Sequence, residues 1–217
     1  MSGELLKRIF SSFILIPFSI FIILMGSFYF NVFLLICLII SIYEWNNMSK
    51  KLLLKIFGFF FLILSFFSIY KLRNDFDGEY LLVFFILLIC VSTDLGGFIF
   101  GKIFKGPRLT KISPNKTYSG VVGSYILSFI LALFYYLKLK SFYLDKSIFQ
   151  IIVIIFLVST VSQIGDLLLS YFKRLSNIKD TGKIIPGHGG LLDRIDGMIF
   201  AFPFAYLIFK INLFKYF

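Results

Sequence analysis

Acidic side chains are scarce in this chain: 11 Asp and Glu stand among 217 residues, against 22 Lys and Arg and a single histidine. Cysteine is scarcer still. Cys37 and Cys90 both lie inside apolar runs, so neither a disulfide framework nor a thiolate metal site follows, and both read as small buried hydrophobes. Alanine does not occur before Ala132. The opening run MSGELLKRIFSSFILIPFSIF therefore lacks the small-residue cleavage site of a signal peptide and is expected to remain as a first membrane span. No internal repeat or low-complexity linker is visible, and no segment is polar enough to fold as a soluble domain.

What the chain has in plenty is hydrocarbon. Hydrophobic residues make up 59% of it and its mean hydropathy is +0.94, where soluble chains run at roughly 45–50% apolar. Several runs reach about 18 residues, enough to span a bilayer core of roughly 30 Å. The expected fold is all-α: a polytopic transmembrane helix bundle of about seven spans, forming a single integral-membrane domain over 1–217. The stretch from Ile9 to Ile42 would be about 51 Å long as one helix, too long for one crossing. Gly26-Ser27 and Asn31 offer a turn that divides it. The spans are placed at 9–26, 29–46, 52–70, 80–101, 121–137, 147–172 and 197–214. The 31 Phe follow the chain's general bias toward Phe, Ile, Leu and Lys and do not indicate a stacking surface.

The net charge of +11 would suggest nucleic acid in a soluble protein. Here the basic residues lie between apolar runs, where orientation and anionic lipid account for them and leave no role for nucleic acid. With the N-terminus inside, fifteen of the 22 Lys and Arg fall on the inner side. That places loops 102–120 and 173–196 in the cytoplasm, where nucleotides and Mg²⁺ are found.

The stretch Ser170 to Gly197 concentrates the ionisable groups, each of which is costly near hydrocarbon. Just before it, Gln163, Asp166, Ser170 and Lys173 fall on one face of a helix. Within it, Asp193 and Asp196 stand three apart where a helix should begin, their carboxylates about 5–6 Å from one another. Such a pair favours a cation between them, and oxygen ligands suit Mg²⁺. The plainer alternative is that they cap the helix start and pair with Arg194. Gly187, Gly189 and Gly190 around His188 free the backbone to approach a ligand, and their N–H groups can hold phosphate oxygens. Lys173, Arg174 and Lys179 can clamp phosphates, although basic residues beside a membrane commonly serve only as orientation signals. The earlier loop repeats this chemistry, with Asp94 at the end of a span, then Lys102, and then Ser113, Lys116 and Thr117. Gly96-x4-Gly101-Lys102 is no P-loop, since Ile103 stands where Ser or Thr must bind Mg²⁺ and no strand precedes it. Gly97-x3-Gly101 fits close helix packing instead.

The run Ser170-x-Phe172-Lys173-Arg174-x4-Lys179-Asp180-x-Gly182-x2-Ile185-Pro186-Gly187-His188-Gly189-Gly190-Leu191-x-Asp193-Arg194-Ile195-Asp196 resembles the signature of the phosphatidate cytidylyltransferase, or CDP-diacylglycerol synthase, family. The block Asp94–Gly120, with Ser113-Pro114-x-Lys116-Thr117, is similar to it too. There Tyr118-Ser119 departs from the Trp followed by Glu or Gln usual in the family, so no role passes to Ser119. The N-terminal part is shorter than in many members.

The resemblance implies a nucleotidyltransferase that moves CMP from CTP to phosphatidic acid, giving CDP-diacylglycerol and pyrophosphate with Mg²⁺, a second cation being allowed. It assigns Asp166, Asp193 and Asp196 to the metal. Lys173 and Arg174 join them as catalytic residues. Asp94, Lys102, Ser113, Lys116, Thr117, Ser170, Lys179, Asp180, Gly187, His188, Gly189, Gly190 and Arg194 fall to the substrates. It further implies a multi-pass protein of the bacterial inner membrane with its site facing the cytoplasm, the bilayer as its setting, and a homodimer as an open option.

Two other classes compete. Asp193-x2-Asp196-Gly197 resembles the start of the CDP-alcohol phosphotransferase motif, but the following Ala-Arg and the second acid pair are missing. An ion-coupled transporter using Asp94 and Asp166 would need two related halves, and none is visible.

Overall fold

The structure is a computed structural model of the chain and describes residues 13, 17–76, 80–110, 112–139, 147–187 and 189–211. These are helices joined by turns and loops. Residues 17–25 are helical (α1). There follow α2 (Ser27–Met48), α3 (Leu52–Asn74), α4 (Tyr80–Phe104), α5 (Tyr118–Leu139), α6 (Ile148–Leu175), α7 (Leu192–Ile195) and α8 (Met198–Ile211). Five of them, from α2 to α6, are long and apolar enough to cross a membrane, and α8 is a shorter apolar helix. The all-helical, multi-span architecture expected from the apolar runs is what forms. The expected break in the first run is real: Gly26, at φ 118°, separates α1 from α2.

The helices outrun the expected spans at their polar ends. α3 continues past 70 to Asn74, α4 past 101 to Phe104 and α6 past 172 to Leu175, while α5 begins at Tyr118 rather than 121. The exposed Lys102 and Arg174 can stay helical there with their stems along apolar surface and their charges in water, whereas Arg73 and Lys173 are buried. The two polar loops are correspondingly shorter than 102–120 and 173–196. The expected first span before residue 13 and the end of the last span beyond 211 lie outside the described residues.

The chain forms two compact units. The first comprises residues 1–70 and 172–196. In it the end of α2 is fixed by Trp45, which is almost fully buried. Its indole N–H donates to the Leu54 carbonyl at 2.8 Å, and its ring meets Phe172 edge-on at 5.4 Å. Gly58 leaves room for that ring, since a Cβ there would overlap it. The outer face of α3 shows Phe57, Phe60, Leu64 and Phe67 exposed. That apolar stripe is what a lipid-facing helix presents.

The second unit comprises residues 71–171 and 197–217. α4 and α5 meet along a seam of small residues. A Cβ on Gly96 would strike the backbone of Gly123, and one on Gly120 would strike that of Gly97. This is the close packing expected of Gly97-x3-Gly101. Buried hydroxyls bind across helices: Ser124 donates to the Thr93 carbonyl at 2.7 Å and Thr93 to Ser159 Oγ at 2.8 Å. Gly197 and Gly165 admit Ser162 and Phe200 at the α6–α8 contact.

Candidate active site

The polar stretch starts from the way α6 ends. Asn177 adopts a left-handed conformation (φ 57°), Ile178 N–H donates to the Lys173 carbonyl at 3.0 Å, and Asn177 N–H donates to that of Arg174 at 3.0 Å. This pairing is a Schellman turn, and it reverses the chain after the helix. The segment that follows makes a tight loop, with Ile185 N–H bonded to the Gly189 carbonyl at 2.9 Å and Gly187 and Gly189 both at positive φ. A side chain at either glycine would be strained.

Asp193, in the first turn of α7, gathers this loop. Its Oδ1 accepts from Lys173 Nζ at 2.9 Å. Its Oδ2 accepts from the Thr181 N–H at 2.8 Å and the Gly190 N–H at 3.0 Å, and lies 3.1 Å from the Thr181 hydroxyl. The pair is well buried, with 11% of the Lys173 side chain and 6% of the Asp193 side chain exposed. A second carboxylate stands behind it. Glu44 of α2 is 1% exposed. It accepts from the N–H groups of Leu191 and Leu192, each at 2.9 Å, and lies 3.0 Å from the Thr181 hydroxyl. That hydroxyl has one proton and two carboxylates beside it, so it donates to one of them at a time.

The earlier loop belongs to the second unit. Leu109 N–H donates to the Lys116 carbonyl at 2.8 Å and Tyr118 N–H to that of Pro107 at 3.2 Å, with Arg108 and Thr117 paired antiparallel. This short ribbon carries Lys116 to an ion pair with Asp166. Both side chains are about a quarter exposed, at 27% and 24%. Ser170 Oγ lies 3.4 Å from Asp166 Oδ1, so the polar stripe expected on α6 is present.

Of the remaining residues singled out in the sequence, Thr117 is the N-cap of α5: its Oγ1 accepts from the Gly120 N–H at 3.1 Å. The Ser113 carbonyl accepts from Lys116 N–H, closing the turn before the ribbon. Lys102 is exposed, its ammonium 5.7 Å from the centre of the Phe98 ring. Arg174 Nη1 donates to the Ile178 carbonyl at 3.0 Å, bracing the Schellman turn. Lys179, Asp180, Arg194 and Asp94 are exposed and Asp196 is half-buried at the C-cap of α7. His188 lies outside the described residues. The loop amides expected to hold phosphate are partly committed within the protein: Gly190 N–H serves Asp193, and the two amides after it serve Glu44.

Among the described residues no group of three or more His, Cys, Asp and Glu is gathered that could hold a metal by itself. Mg²⁺ does not require one, because it binds through one or two carboxylates and completes its shell with water and substrate phosphates. The donors suit it. Asp193 Oδ1 accepts, among the described residues, from Lys173 and keeps a lone pair for a cation while Oδ2 stays with the loop.

Glu44 and Thr181 escaped the reading of the sequence. Glu44 is one of only 11 acids and lies inside an expected span, and an ionisable residue inside a span is a signal by itself.

Residues 49–212 match the Cytidylyltransferase family. Similar proteins include three called phosphatidate cytidylyltransferase. The one from Rickettsia typhi is 32% identical over 212 residues, covering 95% of this chain and 91% of that protein. The one from Helicobacter pylori is 32% identical over 211 residues, covering 91% and 75%. The one from Brucella suis is 36% identical over 151 residues, covering 69% and 54%.

Proposed function

We propose, from the premise that the chain belongs to the cytidylyltransferase family, that it transfers CMP from CTP to phosphatidic acid, releasing pyrophosphate and forming CDP-diacylglycerol. The observation that carries this reading is the likeness, over nearly the whole chain, to proteins called phosphatidate cytidylyltransferase.

The chemistry asks little of the protein beyond charge and position. A phosphate oxygen of phosphatidic acid is already a nucleophile, so no Ser, Cys or side-chain base need be activated. It attacks the α-phosphorus of CTP; the new P–O bond forms as the bond to pyrophosphate breaks. The polyphosphate is strongly negative throughout, and stabilisation comes from fixed cations and donors around it. Lys173 and Arg174 are assigned to phosphate oxygens, with Lys116 and Lys179 contributing to substrate binding. The Lys173–Asp193 ion pair supports this: it holds the ammonium in one place before substrate arrives. Asp166, Asp193 and Asp196 are the residues that would hold Mg²⁺, which when bound neutralises developing charge on the phosphates. The enzyme is read as an inner-membrane protein with loops 105–117 and 176–191 facing the cytoplasm, CTP arriving from there and the lipid from the bilayer.

The test is product analysis. Purified protein in lipid nanodiscs, given CTP labelled at the α-phosphate, phosphatidic acid and Mg²⁺, is expected to give labelled CDP-diacylglycerol and one pyrophosphate per turnover. Transfer from CDP-diacylglycerol to an alcohol, with no reaction of CTP, would instead support the CDP-alcohol phosphotransferase reading.

A further inference from the structure

We infer that Glu44 is a positioning residue for cytidylyl transfer: its buried carboxylate clamps the start of α7 and Thr181, and so holds Lys173 and Asp193 in register. The inference rests on the proposed function. Glu44 touches neither of those two residues in the hydrogen-bonding network; it acts on what carries them. Leu191 and Leu192, whose amides it takes, immediately precede Asp193. Thr181 bridges the two acids, with its N–H on Asp193 and its hydroxyl between both carboxylates.

Three further observations agree. Glu44 is 1% exposed, and among the described residues its partners come from the polar loop, which offsets its cost of burial. Two glycines of the loop are shaped to it: a Cβ on Gly182 or Gly190 would run into the Glu44 carboxylate. Finally, its neighbour Trp45 pins the same turn of α2 through Leu54 and Phe172, so the clamp has a rigid base. The anion that sits on the amides at the start of α7 is thus supplied by the protein itself.

Glu44→Gln is the discriminating variant. An amide has the shape of the carboxylate but accepts at only one of its two oxygen positions, so its NH₂ must face at least one of the donors now bound. Backbone hydrogen exchange in the 186–195 segment is expected to quicken by about tenfold or more, while α5 keeps its protection. kcat is expected to fall by about tenfold or more, with KM for CTP and phosphatidic acid changed less than about threefold. Thr181→Val, which removes only the shared hydroxyl, is expected to act in the same direction and more weakly.

Unchanged exchange in that segment, or quickened exchange with an unchanged kcat, would overturn the inference. Loss of protection in α5 as well would also overturn it, by making Glu44 a residue of general stability. An inactive wild-type protein would defeat the functional reading and the catalytic role with it, while the exchange arm would still report whether the clamp exists.

Discussion

The loop after α6 and the loop after α4 both carry lysine, glycine and hydroxyl residues, yet they are secured by different means. Buried carboxylates hold the first: Asp193 and Glu44 together take the donors of Thr181, Gly190, Leu191 and Leu192. Backbone pairing holds the second, and its ion pair among the described residues, Lys116 with Asp166, is about a quarter open to solvent. Burial decides what each ion pair is worth. Removing one partner of a buried pair strands the other and costs about 3–5 kcal/mol. An exposed pair is typically worth about 0–1 kcal/mol. Fold and chemistry are therefore entangled in the first loop and separable in the second.

The sharpest way to break that contrast is to remove the acids. Asp193→Asn and Asp166→Asn are each expected to lower cytidylyl transfer by about a hundredfold or more, because on the proposed assignment each would remove a charged ligand of the Mg²⁺ that neutralises the reacting phosphates. Only Asp193→Asn should also lower the melting temperature in detergent, because it leaves Lys173 buried beside a neutral amide. Equal melting temperatures for the two variants would erase the difference between the loops.

Gly190→Ala comes next. Its Cβ would meet Thr181 and Glu44, and overpacking of this kind costs about 1–3 kcal/mol. Turnover should fall together with thermal stability. Wild-type kinetics in the Gly190→Ala variant would show that the loop tolerates movement.

Lys116→Ala should separate activity from stability. Turnover or substrate affinity is expected to fall while the melting temperature moves by little, as for loss of a pair worth about 1 kcal/mol or less. Wild-type kinetics would reduce the second loop to a connector. Smallest is Thr117→Ala, which deletes the cap of α5 at about 1 kcal/mol. Thr117→Ser keeps an oxygen for the Gly120 N–H and should restore stability; failure to do so would point to a role beyond capping.

Much of this was legible in the residues. The apolar runs gave the helices, Gly26 the break before α2, and the small residues of 96–101 the α4–α5 seam, because each follows from local chemistry. The 170–196 signature likewise marked Lys173, Asp193 and the glycines as one region. What the residues did not disclose were long-range partners. Glu44 lies 137 positions before Thr181, and nothing about YEWNNM says which polar group its carboxylate will meet. Nor could spacing tell that the amides around Gly190 would be taken by the protein's own acids, since a phosphate and a carboxylate suit the same donors. Helix ends were misplaced for a related reason. Lys and Arg signal where hydrocarbon stops, and the helix does not stop there.

The most direct test measures kcat for CMP transfer from CTP to phosphatidic acid in wild-type, Asp193→Asn and Lys116→Ala proteins, each beside its melting temperature. The expected result is an active wild type, a loss of both activity and stability in Asp193→Asn, and a loss of activity alone in Lys116→Ala. A wild type that forms no CDP-diacylglycerol, or an Asp193→Asn protein that turns over at the wild-type rate, would contradict the account.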